Sequence, residues 1–186
     1  NPYAFVFKTT ADQYGRYSFF KVISGKVTAD MTLVNARTGE SMKLGHLYTM
    51  KGKKAVEVKE VCCGDIAAVA KMDKLKTGDS LCSAKSVVKL TGIPFPQPCY
   101  SQAIAPKTRG QDDKVAAGLA KLAEEDLTFS LVNNAETRQL VLSGTGDIHL
   151  DVLRAKLQSR FGVETVFSPV RVAYREKIRK KVKVQG

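Results

Sequence analysis

The chain lacks tryptophan and holds only two histidines and four cysteines in 186 residues. The cysteines show no CxxC spacing, so a zinc site would need His46 or His149 and scattered thiols. Cys62 and Cys63 are adjacent, and a disulfide wants Cα atoms about 5.5 Å apart in a favourable orientation. Reduced, partly buried thiols of a cytoplasmic protein are therefore expected, with no metal. No apolar run approaches the ~20 residues of a membrane helix, and no signal peptide opens the sequence, so no membrane partner is expected. No GxxxxGK[ST] loop occurs. Gly144-Thr-Gly146 is too short for a dinucleotide fingerprint and reads as a strand-to-helix turn or an anion-binding helix start.

Catalytic constellations are also scarce. His149 stands beside Asp147 and Asp151, but spacing places no Ser or Cys nucleophile with them. A helix-surface histidine in a domain interface is the plainer reading. Glu124-Glu-Asp126 cannot act as one carboxylate site, because three consecutive helical residues point in different directions. No catalytic residue is expected.

Positive charge is what the chain has in excess. Thirty basic residues face 18 acidic ones, a formal net charge of +12. A strongly basic surface favours an anionic partner. The excess is uneven. Residues 1–90 carry 15 basic and 8 acidic side chains, residues 91–175 carry 10 and 9, and residues 176–186 carry 5 and 1. The first part and the tail are basic, while the middle is nearly neutral.

Patterning divides the chain at the same places. Residues 1–92 show short apolar alternations (Tyr3, Phe5, Phe7; Tyr17, Phe19; Val56, Val58) punctuated by glycines, which predicts antiparallel strands closing into a β-barrel. Arg37-Thr-Gly-Glu40 is a hairpin signal. Residues 93–98, Ile-Pro-Phe-Pro-Gln-Pro, predict a stiff extended connector. Residues 99–175 predict strand, helix, strand, strand, helix, strand: Tyr100–Ala105, Gln111–Asp126, Thr128–Val132, Leu140–Ser143, Gly146–Phe161 and Val163–Phe167. That order is an α+β ferredoxin-like (βαββαβ) domain. Residues 176–186 alternate again. Both ends read as cuts, with the last stretch a stub of a further domain.

Lys51-Gly-Lys-Lys54 predicts a basic loop tip on the barrel, and Arg16 follows Gly15 in another. Such loops on a small barrel suit contact with a phosphate backbone, while base readout lacks the interleaved aromatics it needs. A solvated charge run remains the alternative.

Several motifs in fixed order carry a resemblance. Gly15-Arg16 with Phe19-Phe20-Lys-Val-Ile-Ser-Gly25, Gly64-Asp-Ile-Ala-Ala-Val69 and Thr77-Gly-Asp-Ser-Leu81 resemble the second domain of translational GTPases of the elongation factor G class. Ala103-Ile-Ala-Pro-Lys-Thr108, Leu119-Ala-Lys-Leu-Ala-Glu-Glu-Asp126, Ser143-Gly-Thr-Gly-Asp-Ile-His-Leu150 and Val172-Ala-Tyr-Arg-Glu176 resemble the third. Lys177 to Gly186 resembles the opening strand of the fourth.

The resemblance implies a non-catalytic middle fragment of a factor that couples GTP hydrolysis to tRNA–mRNA translocation. GTP and Mg2+ would belong to a GTPase domain outside this sequence, and no cofactor to the chain itself. Partners would be the ribosome (small-subunit rRNA and a small-subunit protein) and the protein's own GTPase and fourth domains, with the protein a monomer. Arg16, Lys51, Lys53 and Lys54 would contact rRNA. Asp126, Thr128, His149 and Lys156 match positions of an inter-domain, fusidic-acid-type inhibitor site.

Some residues depart from the family pattern. Leu127 replaces Pro, Arg138 replaces Gly, Thr145 replaces Met or Leu, Asp147-Ile148 replaces Glu-Leu, and Lys156 replaces Arg. They suggest a divergent paralogue. A ribosomal protection or recycling factor shares these domains, and a standalone RNA-binding module is the alternative of another class.

Overall fold

The structure is a computed structural model that describes residues 1–12, 15–52, 54–177, 179–180 and 183–184. The chain forms two compact units: Asn1–Pro96 with Ala116–Thr128, and Gln97–Val115 with Phe129–Gly186. No strand or helix occupies residues 87–99, which include the proline-rich run.

The first unit carries β1 (Tyr3–Asp12), β2 (Gly15–Ser24), β3 (Lys26–Thr28), β4 (Thr32–Asn35), β5 (Ser41–Lys43), β6 (Leu47–Lys51), β7 (Lys54–Val58), β8 (Glu60–Cys62), β9 (Ile66–Ala70) and β10 (Ser80–Cys82). Eight of these form one curled sheet in the order β5-β4-β10-β1-β2-β9-β6-β7, and β3 pairs with β8. The pairs are antiparallel, as short glycine-punctuated strands favour. Alternation along β2 turns Phe20 and Val22 inward against Ala4, Val6, Leu33, Leu47, Val69 and Leu81. The register of β1 against β2 shifts between Val6 and Lys8, an irregularity that bends a long hairpin into a curled sheet. The barrel-type reading of this half holds.

The remaining elements are β11 (Tyr100–Pro106), α1 (Asp112–Glu125), β12 (Ser130–Asn134), β13 (Gln139–Gly144), α2 (Asp147–Phe161) and β14 (Thr165–Ser168). Their sheet has the order β12-β13-β11-β14, all neighbours antiparallel. That is the ferredoxin-like topology. On α2 the buried face is Leu150, Leu153 and Leu157, one leucine per turn. On α1 Val115, Leu119 and Leu122 are buried. Of α1 and the turn after it, the segment Ala116–Thr128 groups with the first unit.

Two strand starts lie two residues later than expected, each for a local reason. The strand expected from Thr128 begins at Ser130, because Asp126 Oδ1 accepts hydrogen bonds from the Thr128 N–H and hydroxyl and holds the chain in a turn. The strand expected from Val163 begins at Thr165. Gly162 closes α2 in the left-handed conformation (φ 66°), and its N–H and that of Val163 bond back to Gln158 and Leu157 carbonyls. The cysteines are more exposed than expected: Cys82 is buried, but Cys62, Cys63 and Cys99 are on the surface.

Candidate nucleic-acid interface

The β6–β7 hairpin presents the basic tip. Lys51 and Lys54 are directly opposed in register, with Gly52 at φ 60° making the turn that a side chain would resist. Lys53 lies outside the described residues. Lys51 and Lys54 are exposed, and among the described residues neither has a carboxylate within ion-pair distance. Like charges directly opposite in a ladder destabilise it by a few tenths of a kcal/mol. A phosphate between them would relieve that repulsion, so the tip suits an anion better than it suits empty solvent.

Arg16 sits differently. It is the second residue of β2, and its side chain is only 16% exposed. The guanidinium donates to the Asp73 carbonyl from Nη1 (2.9 Å) and to the Leu75 carbonyl from Nη2 (2.8 Å). Nη1 also lies 3.3 Å from Glu124 Oε2. Arg16 thus ties β2 to the loop after β9 and to the end of α1, all within the first unit. Sequence reasoning missed Glu124 as its partner, although a signal was available. The last turn of α1 has no basic residue and ends on Glu124 and Glu125. Carboxylates there oppose the helix dipole, so the helix end calls for a cation from elsewhere.

The expected inhibitor-site residues fall into separate local settings. Asp126 and Thr128 are brought together by the turn already described. His149 lies in the first turn of α2. The cap position there is Gly146, which offers no side-chain hydrogen bond. His149 Nδ1 instead accepts the Thr145 N–H at 3.1 Å, and the Thr145 hydroxyl lies 3.2 Å from it. The ring packs edge-on against Phe129, centroids 6.3 Å apart. Gly144 is what admits it, since a Cβ there would stand 2.8 Å from His149 Nδ1. His149 therefore acts as a helix-start cap. Lys156 lies further along α2, where its carbonyl accepts the Ser159 hydroxyl.

A cleft of about 420 Å³ is lined by Lys107, Asp151, Arg154, Gln158, Glu164 and Thr165. Its charges satisfy one another. Lys107 pairs with Glu164 at 2.9 Å and Arg154 with Asp151 at 2.9 Å. Glu164 holds the Lys107 ammonium above its usual range by a hydrogen bond. Arg154 also lies over the Phe167 ring. Among the described residues no group of three or more His, Cys, Asp or Glu side chains could hold a metal ion. No helix there is long and apolar enough to cross a membrane.

Comparison with known proteins places both halves. Residues 1–84 match the family described as elongation factor G domain 2, and residues 95–169 match elongation factor G, domain III. A crystal structure of a protein from Thermus thermophilus superposes with a TM-score of 0.80 at 31% identity, over 92% of this chain and 26% of that one. The chain thus spans about a quarter of that protein's length.

Proposed function

Because the chain belongs to the elongation factor G family, through that family's second and third domains, we propose that it is the non-catalytic middle part of a ribosomal GTPase. It binds the small ribosomal subunit and relays the nucleotide state toward tRNA–mRNA translocation. Neither matched domain is the GTPase domain; in this reading GTP and Mg2+ belong to another part of the protein. A cytoplasmic location follows from the same reading.

The observation that carries the ribosome contact is the β6–β7 tip, where Lys51 and Lys54 face each other without a carboxylate partner among the described residues. In this reading Lys51, Lys53 and Lys54 contact rRNA phosphates, and Arg16 is a positioning residue that fixes the loop and helix beside β2. Asp126, Thr128, His149 and Lys156 are, by family likeness, positions of an inter-domain contact and of an inhibitor of the fusidic acid type.

Replacing Lys51, Lys53 and Lys54 together by Gln tests the contact. Binding of the 186-residue chain to purified small ribosomal subunits should weaken. The slope of log affinity against log salt should fall by about 2, since each released phosphate contact contributes ~0.7–0.9. Unchanged affinity and slope would sink the assignment.

A further inference from the structure

The strongest feature left over lies where the chain leaves β14. On β13 the side chains of Leu140 and Leu142 share one face and those of Gln139, Val141 and Ser143 the other, because strand side chains alternate. The Leu142 face is buried. From the opposite face the Gln139 carboxamide reaches the segment after β14. Its Nε2 donates to the Pro169 carbonyl (3.2 Å), and its Oε1 accepts the Arg171 N–H (2.8 Å). One side chain thus brackets the backbone of Val170 as a neighbouring strand would. Four residues on, Arg175 Nη2 pairs with Glu136.

Both ties start from one rigid turn. Asn134 Oδ1 accepts the N–H groups of Glu136 (3.1 Å) and Thr137 (3.2 Å), and Arg138 completes the reversal at φ 53°. Asn134 and Gln139 are paired in register at the base of that turn. Between the two ties the segment is exposed. Val172 is 67% exposed and Tyr174 is 89% exposed.

We propose that Gln139 and Glu136 form a releasable two-point strap that sets the direction of residues 169–175 over the β12–β13 turn. The two ties differ in kind, and that makes release stepwise. An exposed ion pair is screened by salt, whereas neutral amide hydrogen bonds are not. The Glu136–Arg175 tie opens first, and the Gln139 tie is the hinge point that remains. This goes beyond the ribosomal reading and is tested without ribosomes.

The test is amide hydrogen exchange and trypsin cleavage of the 186-residue chain. Gln139→Ala should speed exchange of the Arg171 amide about tenfold, with the Ile104 and Leu142 amides unchanged. Glu136→Gln should speed cleavage after Arg175 several-fold and leave Arg171 exchange within about twofold, and about 1 M salt should do the same to the unaltered chain. Gln139→Met keeps the length of the side chain on the strand and loses both the donor to Pro169 and the acceptor for the Arg171 N–H, so its Arg171 exchange should also quicken about tenfold. It decides the matter if Gln139→Ala also loosens Leu142. An Arg171 amide that exchanges at the unprotected rate in the unaltered chain overturns the strap. So does one equally protected in Gln139→Ala, or, where that variant loosens Leu142, in Gln139→Met.

Discussion

Asp79 shows how one buried charge organises a set of loops. It is 2% exposed and accepts hydrogen bonds from Asn35 Nδ2 (2.8 Å), the Lys76 N–H (2.9 Å) and Arg37 Nε (2.5 Å). Burial pushes its pKa up, but Arg37, the Lys76 N–H and Asn35 outweigh this and hold it below the usual carboxylate range. A carboxyl with a depressed folded pKa adds stability that is complete above its unfolded pKa of about 3.9 and lost as pH falls through the folded value. Acid unfolding should therefore steepen below about pH 4, and Asp79→Asn should flatten that limb in a urea series. Asp79→Ala strands the Arg37 guanidinium and the Asn35 amide, at a cost of about 2–4 kcal/mol in urea unfolding. His46 moves the opposite way. Glu57 Oε1 lies 2.5 Å from its Nδ1, and that hydrogen bond raises its pKa. An NMR titration should find the imidazole midpoint above about 6.5. Glu57→Gln should bring it back, and no change on that substitution would refute the pairing.

At the scale of elements, backbone strain and capping decide where helices and hairpins begin. The β12–β13 turn puts Arg138 at φ 53°, where an L residue with a Cβ is strained, and the family resemblance expects glycine there. Arg138→Gly should raise stability by about 1 kcal/mol, read as a higher urea midpoint at unchanged slope, although glycine's extra chain entropy offsets part of the gain. The opposite result holds for the start of α2. His149→Phe keeps an aromatic beside Phe129 but removes the acceptor for the Thr145 N–H, so a loss of about 1 kcal/mol is expected. Neither feature is read from periodicity. The stripe of α2 was legible only in part: the apolar pattern points to Ile148, Val152, Leu153, Leu157 and Phe161, but Ile148 and Val152 are exposed and the third buried leucine is Leu150. The cap was not legible, because a histidine at that place is an unusual acceptor and Gly144 had to vacate the space it fills. The turn at Asp126 was hidden for a similar reason. Thr128 and Phe129 have strand-like side chains, and only the carboxylate two residues before Thr128 diverts them.

At the scale of the molecule, the two-part order was legible because each half writes its own period: twofold alternation with glycines, then one strand–helix grammar beyond the prolines. What alternation cannot carry is a long-range ion pair. Arg16 and Glu124 are distant in sequence, and each taken alone looks like an ordinary charge. That pair gives the charge of the chain two separate jobs, one internal and one facing outward. Replacing Arg16 by Gln and replacing the three tip lysines therefore make a contrast. Arg16→Gln removes the guanidinium bonds to the Asp73 and Leu75 carbonyls and leaves Glu124 opposing its own helix dipole, so the chain should lose about 1–3 kcal/mol of stability. Exchange should quicken in 73–75 and at the end of α1. The salt slope of ribosomal-subunit binding should stay where it was, because a guanidinium held by carbonyls and a carboxylate releases no counterion from RNA. The lysine variant should do the reverse, lowering the slope while leaving the melting transition within about 0.5 kcal/mol, as surface substitutions do. If Arg16→Gln lowered the slope by about 1 with no loss of stability, Arg16 would be a phosphate contact and the internal role given to it here would fail.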